Sequence, residues 1–471
     1  MSVIEEFEEK VPKKSKMGMG FCQLSSQLLG SIPLVAITYY YNIILGLEAS
    51  LIAIGWLIFM IWNTVNDPII GNLEDRIRGV KHGRRIPVIR IGAPFFALAF
   101  ILCWIPLVDI NNQFSLFLYF VAVLFIMDTM YTIVVMITYI LPAEMAISSK
   151  GRGQLMIYVG IATTIGSLIS IALPLFIFTG IKEKGINLNF IWIMILFGII
   201  SGIILFLSSY FITENRFTAL EEPMGLIENI KTTFKNKPFK IYLIGYFCFY
   251  FAQQLLATAV FYYITFVLKI SGIMAIIPII LFFLMIILFL PVWYKAILKF
   301  GLKKAYMLSL ICMGFGFISL FFLGWVYITA IISLAIVGAM FSGYILMGTM
   351  LFGDVVDYDE TKTGKRREAS YAGIQAIFQK PAISIAPAVF LWVILAFGFN
   401  EAASTQTPTA QLGIILAFSI IPGVVLLLGG LSVYYYRLSG PEWMKQKAEL
   451  KKIQDKKEAE YIQHLKEKGL I

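Results

Sequence analysis

Charged residues are scarce in this chain. Only 14% of its 471 residues are Asp, Glu, Lys or Arg, and 59% are hydrophobic; an ordinary soluble domain carries about 25% charge. A soluble globule of this length is excluded, because it needs far more polar surface than these residues supply. Histidine is almost missing. His82 and His464 both lie in charged tracts, so neither a metal-ligand spacing nor a Ser/His/Asp arrangement can be assembled. A membrane-embedded acyl- or glycosyltransferase needs a base or a metal at the membrane face, and it is set aside on that ground. No cofactor and no enzymatic activity are expected. The four cysteines, Cys22, Cys103, Cys248 and Cys312, fall inside apolar runs, where packing is their expected role and no disulfide framework is implied. The charged start MSVIEEFEEKVPKKSK precedes an apolar run too long for an h-region, which predicts that no cleavable signal peptide is present.

What the chain has in abundance is apolar runs near the roughly 20 residues that cross a bilayer. Twelve are expected, at 17–45, 50–71, 86–107, 114–141, 155–178, 190–211, 241–268, 273–298, 306–323, 325–352, 370–397 and 412–436. Each run is long and lacks period-two alternation, so the fold class is all-α integral membrane, with twelve transmembrane helices. Positive charge sets the orientation. Of 38 Lys and Arg, three (Lys182, Lys184, Lys269) fall in loops of one side and Lys380 lies within a span. The others belong to the tails, the alternate loops or the span ends beside them. That asymmetry predicts a multi-pass protein of the cell membrane with both termini in the cytoplasm. The net charge of +10 follows from basic flanks meeting an anionic leaflet, and no nucleic-acid partner is needed. Tyr39–Tyr41 are expected in an outer interfacial belt.

The polar stretch 214–240 splits the chain into six spans plus six. The expected units are an N-terminal bundle (1–213), a linker (214–240), a C-terminal bundle (241–437) and a charged tail (438–471), the layout of major facilitator transporters. A trace of repetition supports it: GVKHGRR (79–85) follows the second span and KFGLKK (299–304) follows the eighth. The tail is expected to be a helix solvated on all faces.

Asp67, Asp128 and Lys380 are ionisable residues deep in apolar spans, where each is costly unless it meets a partner or water. Two carboxylates and one ammonium leave one negative charge uncompensated, which a proton or a monovalent cation would cancel. Asn63 lies four residues before Asp67 on the same helix face, and Asn66 adds an oxygen beside it. Gln27, Asn42, Gln253, Gln254, Gln375 and Gln379 place amides inside spans, either as interhelical glue or as solute contacts. Trp62 either fills space or stacks on a sugar ring.

The stretch IWNTVNDPIIGNLEDR…GRRIPVIRIGAP (61–94) resembles the signature of the glycoside–pentoside–hexuronide:cation symporters, the melibiose-permease-like branch of the major facilitator superfamily. The matching residues are Asp67-Pro68, Gly71…Asp75-Arg76, Gly83-Arg84-Arg85 and Ile91-Gly92-Ala93-Pro94. A second, distant stretch, GDVVDYDETKTGKRREASYAGIQAIFQK (353–380), resembles the family's loop between helices ten and eleven, with Asp359 where the family has Gly. The resemblance implies a cation-coupled sugar or glycoside transporter. It makes Asp67 and Asp128 the cation-site carboxylates and Lys380 the helix-eleven lysine close to them; Asn63 and Asn66 join that site on the spacing and oxygens noted above. The resemblance puts Gln375 on the solute side, and Gln27 at the place of a sugar-gripping residue; Trp62, Gln379 and Lys380 are added as solute-side candidates on their own chemistry. Asn63 replaces the first aspartate of the family's helix-two pair, which favours a proton over sodium. Gln27 and Gly160 stand where the family has a sugar-gripping aspartate and an arginine, so a galactoside preference is not expected. An inner gate is expected between Asp75, Arg76, Arg84 and Arg85 of one half and Asp354, Asp357, Glu360, Arg366 and Arg367 of the other. The expected partners are a small solute, a monovalent cation and the lipid bilayer, with the chain a monomer. A lysophospholipid-type transporter and a sensor that binds without moving its ligand are the alternatives.

Overall fold

The computed structural model describes residues 11–75, 85–146, 149–180, 185–212, 233–364 and 367–467. Among them are twelve long helices and a tail helix: α1 (Lys13–Tyr39), α2 (Ala49–Asp75), α3 (Ile86–Leu102), α4 (Gln113–Met145), α5 (Ser149–Phe178), α6 (Leu188–Ser208), α7 (Lys237–Tyr262), α8 (Ile273–Phe300), α9 (Leu302–Leu323), α10 (Tyr327–Thr363), α11 (Glu368–Ala396), α12 (Pro408–Ser432) and α13 (Pro441–Glu467). Eleven of the twelve are long and apolar enough to cross a membrane, and α3, at 17 residues, is the short one. The expected span to residue 107 ends early because the chain turns at Cys103 and the Trp104 carbonyl accepts from the Tyr40 hydroxyl at 2.8 Å.

The helices pack as two copies of one plan. In the first half α1 packs on α5 and α6, α2 on α4, and α3 on α4 and α6. In the second half α7 packs on α11 and α12, α8 on α10, and α9 on α10 and α12. The halves meet where α2 faces α11, α5 faces α8 and α1 faces α7. In a bilayer, helices gain little from excluding lipid, so close approach through small residues carries much of the packing. Corresponding contacts use them. A Cβ on Gly202 of α6 would come within 2.6 Å of the Ala97 Cβ of α3, and one on Gly314 of α9 within 2.8 Å of the Gly423 carbonyl of α12.

Polar N-caps start several helices. Asn112, Asn187, Asn236 and Thr407 each accept a backbone N–H from the first turn of α4, α6, α7 and α12. These caps satisfy donors that the helix leaves open, at the sites where each chain segment enters its helix.

The tail helix departs from expectation. It is not solvated all round: Trp443 and Leu450 are buried, Trp443 packs edge-on to Tyr358 of α10, and Lys447 pairs with Asp354 of α10. Alternating Lys and Glu concealed two apolar residues seven apart, which lie on one face of a helix.

The close approach of α8 and α10 gives a test. A side chain on Gly338 would collide with the backbone of Phe282, whereas Gly353, on the same helix, faces open space. Gly338→Leu is expected to destabilise the folded protein by about 1–3 kcal/mol, read as a lowered melting temperature in detergent, with Gly353→Ala near the wild-type value.

Candidate functional site

The deep charges come together where the two halves touch. Asp67 lies in the C-terminal part of α2, Asp128 sits midway along α4, and Lys380 lies on α11 across the interface. The α2–α4 and α2–α11 contacts bring all three to one place. The Lys380 ammonium pairs with Asp67 Oδ1 and donates to the backbone carbonyl of Asn63 at 2.6 Å. Asp67 Oδ1 also accepts from the Thr132 hydroxyl at 2.9 Å. Asn66 donates from its amide to Asp128 Oδ2 at 2.9 Å and to Thr132 Oγ1 at 3.1 Å. A continuous chain of polar contacts therefore runs Lys380–Asp67–Thr132–Asn66–Asp128.

Burial makes these contacts count. Asn66 is 2% exposed and Asp128 9%, and the Lys380 and Asp67 side chains are 14% and 15% exposed. A buried ion pair is a net gain only when its remaining lone pairs and protons are also bonded. Here Thr132 and the Asn63 carbonyl supply those bonds. The sum of formal charge is one ammonium against two carboxylates, so the cluster stays one unit negative unless a proton or cation joins it. Sequence reasoning misses Thr132. It stands four residues after Asp128, on the same face of α4, and that spacing is the available signal.

The amides of α11 engage a tyrosine row on α7. Gln375 Nε2 donates to the Tyr242 hydroxyl at 3.0 Å, and the Tyr246 hydroxyl donates to Gln379 Oε1 at 2.6 Å. Tyr250 continues the row, its ring 4.5 Å from that of Tyr246. Tyr242, Tyr246 and Tyr250 recur every four residues, so they share one helix face; their spacing is legible in the sequence, but their pairing with α11 is not. In the first half, Gln27 Nε2 donates to Ser31 Oγ at 2.8 Å and Ser167 Oγ at 3.3 Å, joining α1 to α5. Trp62 lies parallel to Phe125 with ring centres 5.0 Å apart, so one face of its indole is already covered. Gln254 of α7 donates to the Leu34 carbonyl of α1 at 3.2 Å, an amide that joins the halves.

The gate residues are placed in part. Arg76, Arg84, Arg366 and the side chain of Asp75 lie outside the described residues. Asp354 pairs with Lys447 of the tail helix, and Asp357 lies 3.9 Å from the same ammonium. Arg367 grips Asp359 through two bonds, Nε to Oδ2 at 2.8 Å and a terminal nitrogen to Oδ1 at 2.6 Å. That carboxylate, the residue in place of the family's Gly, raises the Arg367 guanidinium above its ordinary range. These described acids of α10 thus have partners in their own half of the protein. Arg85 opens α3 and is partly buried.

Tyr39–Tyr41 are not an interfacial belt. All three are at most 2% exposed. Tyr39 packs against Phe178, Phe261 and Tyr262, and Tyr40 against Trp104 and Phe190. Tyr39 is buried at the α1–α7 contact between the halves, whereas Tyr40 and Tyr41 are buried inside their own half, Tyr41 against Phe120.

Residues 18–440 match the family described as MFS/sugar transport protein. Among curated relatives, the chain is 22% identical to the "Putative glycoside/cation symporter YagG" of Escherichia coli, over 88% of this chain and 90% of that protein. It is likewise 22% identical to the "Uncharacterized symporter YnaJ" of Bacillus subtilis, over 98% and 99% of the two chains. Its fold is similar to that of a D-xylose-proton symporter, with a TM-score of 0.65 at 16% identity over 91% of this chain and 98% of that one. It is also similar to the nucleoside transporter NupG, with a TM-score of 0.62 at 14% identity over 90% and 99%. With twelve long helices among the described residues arranged in two matching halves, and a match that runs through both, this chain belongs to the MFS/sugar transport protein family.

Proposed function

We propose that the chain is a symporter that couples entry of a proton to entry of a sugar- or glycoside-type solute, by alternating access between its two halves. The observation that carries this reading is the buried Lys380–Asp67–Thr132–Asn66–Asp128 cluster, one unit short of neutrality and built from both halves. A charge imbalance out of bulk water opposes closure of the protein around it. Arrival of one positive charge removes that opposition, so cation binding and the change of conformation share a free energy. Coupling is reciprocal: whatever solute stabilises the cation-loaded arrangement also tightens cation binding.

The proton is the proposed ion because Asn63 supplies only its carbonyl to the Lys380 contact, where a second carboxylate in that helix would add a hard ligand for sodium. Solute recognition is assigned to amides and hydroxyls of α1, α7 and α11. Gln27, Gln375 and Gln379, with Tyr242 and Tyr246, offer donors and acceptors next to aromatic faces, the mixture that suits a sugar ring. Lys380 stands between the two sites, one residue after Gln379, and is proposed to link them. The name of the E. coli relative supports a glycoside as solute, and the family description supports a sugar.

Purified protein in proteoliposomes tests the reading across a panel of glycosides, uronides and lysolipids. A glycoside is expected to drive proton entry on addition. Sodium entry without protons would overturn the ion assignment, a lysolipid as sole substrate would overturn the solute assignment, and binding without flux would make the chain a sensor. Asp67→Asn is expected to abolish uphill accumulation while sparing exchange down a gradient; wild-type accumulation in that variant would remove Asp67 from coupling. Gln375→Ala is expected to raise the KM for the solute about tenfold, the loss of one good hydrogen bond, with kcat little changed.

A further inference from the structure

The first helix of each half ends in the same way. Residues 36–45 read AITYYYNIIL and residues 259–268 read AVFYYITFVL. Ala36, Tyr39, Tyr40 and Leu45 recur as Ala259, Tyr262, Tyr263 and Leu268, each 223 positions later. Both segments leave the α-helix for a π-helical turn, Tyr40–Ile44 after α1 and Tyr263–Leu268 after α7. Both then close with a backbone bond spanning six residues, Leu47 N–H to the Tyr41 carbonyl at 2.8 Å and Ile270 N–H to the Ile264 carbonyl at 3.3 Å. Both turn out through a positive φ, +77° at Gly46 and +55° at Lys269. Lys269 is the single non-glycine in that region among the described residues, a conformation that costs an L-residue about 1 kcal/mol and persists only where its surroundings impose it.

The side chains obey the same symmetry. The second tyrosine of each pair ties its helix to the loop between the third and fourth helices of its own half: Tyr40 donates to the Trp104 carbonyl, and Tyr263 to the Gly324 carbonyl. The first tyrosine of each pair crosses to the other half. Tyr39 donates to Thr265 Oγ1 at 3.1 Å, and Tyr262 donates to Asn42 Oδ1 at 3.0 Å. Thr265 and Asn42 are themselves equivalent positions, each three residues after the tyrosine of its own helix. Asn42 also donates from its amide nitrogen to the Leu47 carbonyl at 2.9 Å, which aims its oxygen at Tyr262. The two crossing rings meet edge to face, with centres 5.1 Å apart. Tyr39 is 2% exposed, and Tyr262 and Asn42 are fully buried.

From this geometry we infer that Tyr39 and Tyr262 form a reciprocal latch that closes the end of the transport path remote from the tails, with Asn42 and Thr265 as its two keepers. Each half supplies one bolt and one keeper, so both bonds break together when the halves separate. Tyr40 and Tyr263 hold each bolt to its own half, so the helix ends move with their bundles rather than fray. A π turn re-aims the residues that follow it relative to an unbroken α-helix and is common at functional sites; here it sets Asn42 and Thr265 opposite the crossing hydroxyls. The latch goes beyond the proposed transport activity, and its test reads conformation alone, so a failed symport assay leaves it standing.

The test places spin labels on Asn111 and Ser404, exposed positions in loops of opposite halves at the latch end, in a Cys312→Ala background; the other three cysteines are buried. Distances are measured by pulsed electron resonance in liposomes. Tyr39→Phe and Tyr262→Phe are each expected to enlarge the longer-distance, open population about three- to tenfold, as the loss of one hydrogen bond predicts, and the double variant more. Thr265→Val is expected to match Tyr39→Phe and to add nothing to it, while Thr265→Ser restores the wild-type distribution. Unchanged distances in both tyrosine variants, or full additivity of Tyr39→Phe with Thr265→Val, would overturn the latch. The Thr265 series keeps the test decisive should a tyrosine variant fold poorly.

Discussion

The ion pair between Lys380 and Asp67 is the constraint on which the molecule turns. It joins α11 of one half to α2 of the other, within a chain that has very few charges to place inside its apolar spans. Two charges taken out of water repay their desolvation only with good geometry and additional hydrogen bonds. Thr132, Asn66 and the Asn63 carbonyl provide those bonds. Asp128 then remains as a second acid in the same network, and its charge has no ammonium of its own. The halves are therefore held at their centre by an attraction that is incomplete by one unit.

Around this centre the protein repeats itself. The five helix pairings of the first half recur six helices later, and small residues recur at equivalent contacts. The repeat is not carried by charge. The second half has Leu290-Pro291 at the place on α8 that corresponds to Asp67-Pro68 on α2, so one half keeps the helix geometry and the other adds the acid. Symmetry gives two similar bodies; in the proposed transport cycle these rock against each other, and the asymmetry gives that motion a chemical condition.

The two ends of the molecule are fastened by different physics. Remote from the tails, neutral hydroxyls, amides and edge-to-face or tilted rings join the halves. At the tail end, Asp354 and Asp359 of α10 pair with Lys447 and Arg367 of the same half, and Glu360 accepts from Gln454 of the tail helix. Neutral contacts respond little to salt, while partly exposed ion pairs weaken as salt rises. The tail helix, docked through Trp443 and Lys447, is thus part of the electrostatics at that end.

Hydrophobic run length, the basic loops and the paired signature stretches made the class, the number of helices and the membership of a transporter family legible in the sequence, because bilayer thickness and charge asymmetry act on local composition. Asp67, Asp128 and Lys380 stood out for the same reason: a charge in an apolar run is conspicuous on its own. What the sequence left open were partnerships between distant segments. Thr132 as the bridge between two acids, the α7 tyrosines against the α11 amides, the crossing of Tyr39 and Tyr262, and the docking of the tail depend on which helix faces come together. A tyrosine beside an apolar run has the same local pattern whether it meets a headgroup or another helix. Only the packing of the two halves, which buries Tyr39 and Tyr262 against each other, distinguishes the two.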